Sequence, residues 1–405
     1  MTDTAAATTP NRLAHGPLTG LKVLELGQLI AGPFAGKTLA DFGADVIKVE
    51  PPGDGDPLRK WRLLHQGTSV WWQVQSRNKR SVVLDLRTPE GRADAAALAA
   101  EADVLIENFK PGTLEKWGLG YDTLAASNPG LIMLRISGYG QAGPYRDLPG
   151  FAVVAEAMGG LRHLMGEPGR PPVRAGVSLG DTLAALHGVI GVLLALQARA
   201  ASVCAEAPKG RGQVVDVALY ESVFNCMESL LPEFSAFGVV RQPAGSALPG
   251  IAPSNAYRCA DGQVVIGGNG DSIFKRLMAC VGRDDLEQDP GLADNAQRAA
   301  RVDELDAAIT AWTVLRPVAE VVATLQAASV PVGRIYTVAD IAADPHFLAR
   351  GMIQQASTPD GLALAVPGIV PKLSATPGAI RSAAPTLGEH TDEVLATLRA
   401  GRTPG

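Results

Sequence analysis

A strand, a glycine turn, a helix and a second strand open this chain and limit what it can become. Leu21-Lys22-Val23-Leu24-Glu25-Leu26 reads as a short apolar strand, and Gly27 to Pro33 as a turn. A helix is expected from Phe34 to Phe42, a break at Gly43-Ala44-Asp45, and a second strand at Val46-Ile47-Lys48-Val49-Glu50. Two strands joined through a helix are parallel neighbours, so a parallel sheet covered by helices follows. The turn lacks the GxGxxG spacing and Gly32 is followed by Pro33, which excludes a dinucleotide fingerprint. It still opens the carboxyl edge of the sheet, where open α/β proteins bind ligands.

The same alternation continues. Strands are expected at Val82–Leu86, Asp103–Phe109 and Leu131–Ser137. Between them lies a helix from Pro89 to about Ala102, capped by Thr88 with proline first, and shorter helices after Thr113 and from Tyr121 to Ser127. Phe151 to Met158 is another helix, and Thr182 to Ala201 a long, almost uncharged one. A strand at Val214–Ala218 and a helix from Tyr220 to about Leu231 complete a doubly wound α/β domain. The Gly/Pro/Ala-rich stretch from Arg241 to Pro253 marks a boundary or flexible loop. Beyond it, strands at 262–268 and 332–336 and helices at 272–281, 302–312 and 318–328 indicate a smaller α/β domain. An extended or hairpin region to Leu373 and a last helix, His390 to Leu398, form the tail. The expected division is a disordered leader at 1–17, a large domain at 18–230 completed by 340–405, and a small domain with linkers at 231–339.

A chain of 405 residues suits two domains, and 46% hydrophobic residues can fill their cores. A net charge of -5 with no basic stripe argues against nucleic-acid binding. Cys204, Cys226, Cys259 and Cys280 form no CxxC pair and there is no HExxH, so neither a disulfide framework nor a metal site is expected. The most apolar run, Val189 to Leu196, is too short to span a bilayer. The expectation is a soluble cytoplasmic protein with no membrane partner.

Candidate chemistry centres on Gly180-Asp181 before the long apolar helix. Asp181 can cap free N–H groups there, or act as a nucleophile that forms a covalent acyl intermediate. Gly176-Val177-Ser178-Leu179-Gly180 fits the Gly-x-Ser-x-Gly pattern of hydrolases, although Gly169-Arg170-Pro171-Pro172 leaves little room for the strand that elbow needs. His65, on an expected surface helix, and His187, inside the long helix, are ordinary positions for structural histidines. Arg77, Lys79, Arg80, Arg87, Lys110 and Lys116 cluster near strand ends, as a solvated rim or as a site for phosphates. Asn108-Phe109 at a strand exit could hydrogen-bond and stack on a base, or simply end the strand.

Taken together these stretches resemble the class III CoA-transferases, the formyl-CoA transferase/carnitine-CoA transferase type. The resemblance is carried by Val23–Leu26 with Ala31-Gly32-Pro33, Gly43–Gly53, Asn78-Lys79-Arg80-Ser81, Asp103–Gly112, Ser137-Gly138-Tyr139-Gly140, Gly180-Asp181 and Gly210-Arg211-Gly212-Gln213, in family order. It implies a Rossmann-like large CoA-binding domain, a smaller α/β domain and an interlocked homodimer. It implies that Asp181 attacks an acyl-CoA thioester to give a mixed anhydride, and later an aspartyl-CoA thioester. No permanently bound cofactor is implied; coenzyme A enters as substrate, with an acyl-CoA donor and a carboxylic acid acceptor as partners. Leu29, Ile30 and Ala31 match the segment beside CoA and the thioester. Leu84 and Arg87 match positions near the adenosine, Asn108 and Phe109 the CoA-contacting pair, and Lys116 a phosphate contact. The segment from Gly245 to Ala252 falls where the family has a glycine-rich closing loop, and is less glycine-rich here.

Three departures narrow the activity. Pro51 stands where formyl-CoA transferases have a basic residue on the adenine side, and Ile30 where they have glutamine beside the thioester. Gly150-Phe151-Ala152 replaces the Gly-His-Asp of the related α-methylacyl-CoA racemases, so the racemase base is missing. The reading is CoA transfer, with succinyl-CoA as donor and a small dicarboxylate or related acid as acceptor, its second carboxylate held by an arginine such as Arg77 or Arg174. The alternatives are racemisation of a 2-methylacyl-CoA, hydrolysis at Ser178, and CoA binding without turnover.

Overall fold

The computed structural model describes residues 16–205 and 207–400; the expected leader lies outside them apart from Gly16 and Pro17. Chain contacts divide the protein into two units. The larger holds the chain up to Leu161, Ala175–Glu228 and the chain from Ala349; the smaller holds Arg162–Arg174 and Ser229–Leu348. Residues 162–174 thus cluster with the smaller unit although they lie within 18–230.

The larger unit is built on six strands: Lys22–Glu25 (β1), Asp45–Glu50 (β2), Lys79–Val83 (β3), Val104–Glu107 (β4), Ile132–Ser137 (β5) and Val214–Ala218 (β6). They are ordered β3-β2-β1-β4-β5-β6, and every neighbouring pair is parallel. Helices Ala31–Asp41 (α1), Pro89–Glu101 (α2), Ala152–Met158 (α3) and Leu179–Ala201 (α4) supply the covering layers. The central strands bury both faces, so their sequences are continuous apolar runs. Val104, Ile106, Ile132, Leu134 and Ile136 face one core with Ala35 and Leu39 of α1 and Ala184, Ala185 and Val192 of α4. Leu105 and Met133 face the opposite core with Ala95 and Leu98 of α2, closed by Val394 and Leu398 of the last helix, Thr391–Ala400.

Several boundaries differ from the sequence expectation. Helix α1 begins at Ala31 rather than Phe34, because Pro33 falls within the first turn, where a missing N–H costs nothing. Strand β3 begins at Lys79 rather than Val82, because the polar side chains of Lys79 and Ser81 are buried and paired inside the protein. The helix expected from Tyr220 to Leu231 is two, Leu219–Phe224 and Leu230–Phe237, separated by a segment in which Glu228 is left-handed. His65 lies in a two-stranded hairpin, Leu64–His65 with Thr68–Ser69, not on a helix. A second hairpin pairs Ile353–Ser357 with Ala363–Pro367.

Helix α4 seats tightly on the sheet through glycine. A Cβ on Gly191 would stand 2.5 Å from Cγ1 of Val215, a stiff β-branched side chain. Gly191→Ala is therefore expected to destabilise by about 1–2 kcal/mol despite alanine's better helix propensity, as a lowered denaturation midpoint would register. At 23 residues α4 is long and apolar enough to cross a membrane by length and composition, unlike the shorter run noted in the sequence. Its Gly180, Ala184, Ala185, Gly188 and Val192 face is nevertheless spent on packing within the larger unit.

The smaller unit carries an antiparallel sheet of Ser254–Arg258, Gln263–Gly267 and Val332–Arg334, with the middle segment in the centre. Val264 and Ile266 on that sheet pack with Phe274, Leu277, Leu305, Ile309 and Leu325 from the helices Asp271–Val281, Val302–Thr313 and Val318–Ala327.

Candidate active site

Strand order reverses between β1 and β4, which puts a topological switch point at their carboxyl ends. A cleft opens there. It is lined by Leu29, Ile30 and Ala31 after β1, by Asn108 and Phe109 after β4, and by Asp181 of α4. The cleft thus gathers six of the residues expected at the site. Trp61, Ser137, Gly138, Gly150 and Phe151 also line it; Ser137-Gly138 carried part of the family resemblance and Gly150-Phe151 marked the missing racemase base, whereas Trp61 was not singled out from the sequence. Trp61 could have been suspected, as a bulky aromatic close after the polar Gly/Asp/Pro loop that follows β2.

Asp181 is not the cap of its helix. Ser178 is the N-cap, and Asp181 is the third helical residue, in the first turn, where the helix dipole favours its ionised form. Glu156 of α3, itself buried, accepts from the Gly180 N–H at 3.4 Å. The hydrolase elbow is absent, because no strand leads into Ser178. His187 is tied to its own helix through Leu183 O at 2.9 Å and contacts Asn225 at 3.2 Å. No histidine among the described residues lines the cleft, and the racemase-base position is occupied by Phe151.

The loop from Gly27 to Pro33 is clamped by four buried side chains and the half-buried Asn108. Lys48 Nζ donates to Gly27 O at 2.8 Å. Asn108 holds both backbone groups of Gln28, accepting from N at 2.7 Å and donating to O at 2.8 Å. Asp56 accepts from Leu29 N at 3.1 Å, Gln75 donates to Ile30 O at 2.8 Å, and Lys79 to Pro33 O at 2.8 Å. Asn108 therefore spends its amide on the protein rather than on a base, and the Phe109 ring packs edge-on against Trp117 at 5.4 Å. Leu29 is left-handed at φ 65, a conformation that costs an ordinary residue about 1–3 kcal/mol.

Three of these clamps, Lys48, Asp56 and Lys79, belong to one buried ionic network. Lys48 lies 2.8 Å from Asp56 and 3.0 Å from Glu25, Lys79 lies 2.8 Å from Glu25, and Arg59 lies 2.7 Å from Glu50. Three cations face three carboxylates, so no charge is left uncompensated. Burial pulls the Lys79 amine down to about 8, with Glu25 opposing and Lys48 adding to the fall. Burial would raise the Asp56 carboxyl, but Lys48 and the hydrogen bonds from Lys48, Leu58 and Leu29 outweigh it and hold it below its ordinary value. Gly36 is required beside this network, since a Cβ there would sit 1.8 Å from Glu25 Oε2.

The remaining expected residues lie outside the cleft. Leu84 has its side chain in the core, and Arg87 is exposed and paired with Asp85 at 2.8 Å. Lys116 and Lys110 are exposed and make no ion pair among the described residues, which leaves their charge for a ligand. Arg77 is a correction. It is buried, bound to Asp41 at 2.7 Å and donating to Pro367 O, so it cannot hold a substrate carboxylate. Arg174 lies on an exposed stretch of the smaller unit. No group of three or more His, Cys, Asp or Glu among the described residues is arranged to hold a metal ion.

Comparison with known proteins gives this geometry a family. The model for CoA-transferase family III matches residues 18–391. The chain is 48% identical to succinyl-CoA–D-citramalate CoA-transferase of Chloroflexus aurantiacus over 94% of both chains. It is 35% identical to succinate–glutarate CoA-transferase of Agrobacterium fabrum, over 96% of this chain and 97% of that one. A CaiB/BaiF family protein of Brucella suis superposes with a TM-score of 0.82 at 38% identity, over 95% of this chain and all of that one. With its parallel sheet, its switch-point cleft and this match from 18 to 391, the chain belongs to CoA-transferase family III and is a CoA-transferase.

Proposed function

We propose that the protein moves CoA from succinyl-CoA to a small dicarboxylate through covalent chemistry at Asp181. The observation that carries this reading is Asp181 in the first turn of α4, lining the cleft with Leu29–Ala31, Asn108 and Phe109. An Asp181 oxygen attacks the thioester carbonyl carbon, the C–S bond breaks, and CoA thiolate leaves a succinyl-aspartyl anhydride. The thiolate attacks the Asp181 carbonyl and expels succinate, giving an aspartyl-CoA thioester. The acceptor carboxylate displaces CoA to form a second anhydride. Thiolate then takes the new acyl group and frees Asp181. No net proton is needed, and each step keeps the transfer potential if water is held out.

The donor rests on relatives named for succinyl-CoA with D-citramalate and L-malate, and the acceptor class on the diacids in those names. Chromatography of acyl-CoA products formed from succinyl-CoA with each of a panel of small diacids tests it. A new acyl-CoA with at least one diacid is expected; products only with monocarboxylates would remove the acceptor class.

Lys110 and Lys116 are placed in this reading as phosphate contacts. Each alanine substitution is expected to raise KM for succinyl-CoA about tenfold, the scale of a charge-assisted hydrogen bond, with a smaller effect at high salt. Steady-state kinetics at two ionic strengths measures this.

The large CoA-binding domain, 18–230 with 340–405, is read as Rossmann-like, which its β3-β2-β1-β4-β5-β6 order supports. The 231–339 segment is read as the small domain. An interlocked homodimer is supported by an apolar stripe on α4, where Leu186, Ile190, Leu193 and Leu194 are 42–66% exposed at helical spacing. A cytoplasmic location fits four cysteines that form no disulfide.

A further inference from the structure

We propose that Leu29 serves the site through its backbone conformation, held left-handed by the buried Asp56–Lys48 pair, so that Asp56 is a positioning residue for acyl transfer. This rests on the Asp181 reading above. Leu29 is a branched residue at φ 65, where glycine would sit without strain. Such a conformation persists only where the surroundings over-determine it, and it clusters at functional sites. Here the surroundings do so. The Asp56 carboxylate, fully buried, accepts the Leu29 N–H at 3.1 and 3.2 Å through its two oxygens. Lys48 fixes that carboxylate at 2.8 Å and with the same ammonium holds Gly27 O. Asn108 locks Gln28 from the other side.

The turn at Leu29 decides where the chain goes next. Ile30 follows as the N-cap of α1 without a side-chain cap, and Ile30 and Ala31 both line the cleft with Asp181. A change of φ at Leu29 would therefore swing the start of α1 away from the reacting carbonyl. Small misplacements of that kind weigh on the reaction rate far more than on binding. Leucine, unlike glycine, also narrows the loop's alternatives once the turn is held.

Two substitutions separate backbone from side chain. Leu29→Gly removes the side chain and accepts the left-handed backbone. Leu29→Val keeps an apolar side chain of similar size and resists it. The readout is single-turnover formation of a hydroxylamine-trapped Asp181 hydroxamate from succinyl-CoA. Leu29→Val is expected to react at least about tenfold more slowly than Leu29→Gly, with the succinyl-CoA concentration for half-maximal rate similar in the two variants. Asp56→Asn is also expected to be slow, and Leu29→Gly placed in that background to recover part of the loss, a rescue that a purely structural role of Asp56 does not give. Leu29→Val at the wild-type rate, or Leu29→Gly as slow as Leu29→Val, overturns the proposal. The leucine pair decides it even if Asp56→Asn does not fold. No hydroxamate in the wild type removes the Asp181 reading and the proposal with it, and is told apart because the variants play no part in it.

Discussion

Asp181→Asn is expected to lower the rate of CoA transfer roughly a thousandfold or more, while KM for the acyl-CoA changes only a few-fold. The amide keeps the shape of the carboxylate and its place in the first turn of α4, so the cleft survives. What it lacks is an oxygen nucleophile able to carry an acyl group. The same variant separates the reading from its rivals. A non-catalytic CoA-binding protein would show no transfer in either form. A racemase would exchange solvent deuterium into C2 of a 2-methylacyl-CoA, yet Phe151 occupies the position where its base would stand. Steady-state transfer assays with matched CoA-binding measurements decide among these.

Lys48→Met is expected to cost about 3–5 kcal/mol of stability at pH 7, the range for breaking a buried ion pair. Methionine fills much of the lysine stem but leaves Asp56 and Glu25, both fully buried, without their shared cation. Burial alone would lower the Lys48 pKa, but Asp56, Glu25 and Glu50 hold it above its ordinary value. The pH dependence has a definite sign. In the wild type Asp56 and Glu50 titrate below their ordinary values, so their contribution is complete above about pH 4–5 and lost as pH falls through the folded values. In Lys48→Met, Asp56 loses the cation that lowered it and its folded pKa rises. The deficit of the variant should then shrink between pH 7 and pH 5, as unfolding midpoints at the two values would record. An equal deficit at both would contradict the assignment of Lys48 to this network.

The parts of this protein that the sequence displays are those fixed by local pattern. Leu105, Ile106, Met133 and Leu134 sit in unbroken apolar runs, and such runs become strands buried on both faces. Gly180-Asp181 before an uncharged helix marked the candidate nucleophile, and the strand exits marked Leu29–Ala31 and Asn108-Phe109. The ionic network escaped because period-two alternation reads Glu25, Lys48 and Lys79 as solvent-facing, whereas they are 0–2% exposed. Their pairing joins three strands and the Asp56 loop, which no local spacing encodes. Arg77 misled for the same reason: a basic residue near a turn looks like a ligand contact until Asp41 is found against it. Asn108 lines the cleft but clamps Gln28 with its amide, a distinction that needs the neighbouring strand's exit in view.

Mass spectrometry of the intact protein and its peptides after mixing with succinyl-CoA, with hydroxylamine added to cleave activated carboxyls, tests the central claim most directly. The account predicts a hydroxamate or CoA adduct on the peptide carrying Asp181, absent from Asp181→Ala. Transfer of CoA by the wild type with no adduct at Asp181, or an adduct that persists in Asp181→Ala, would contradict it.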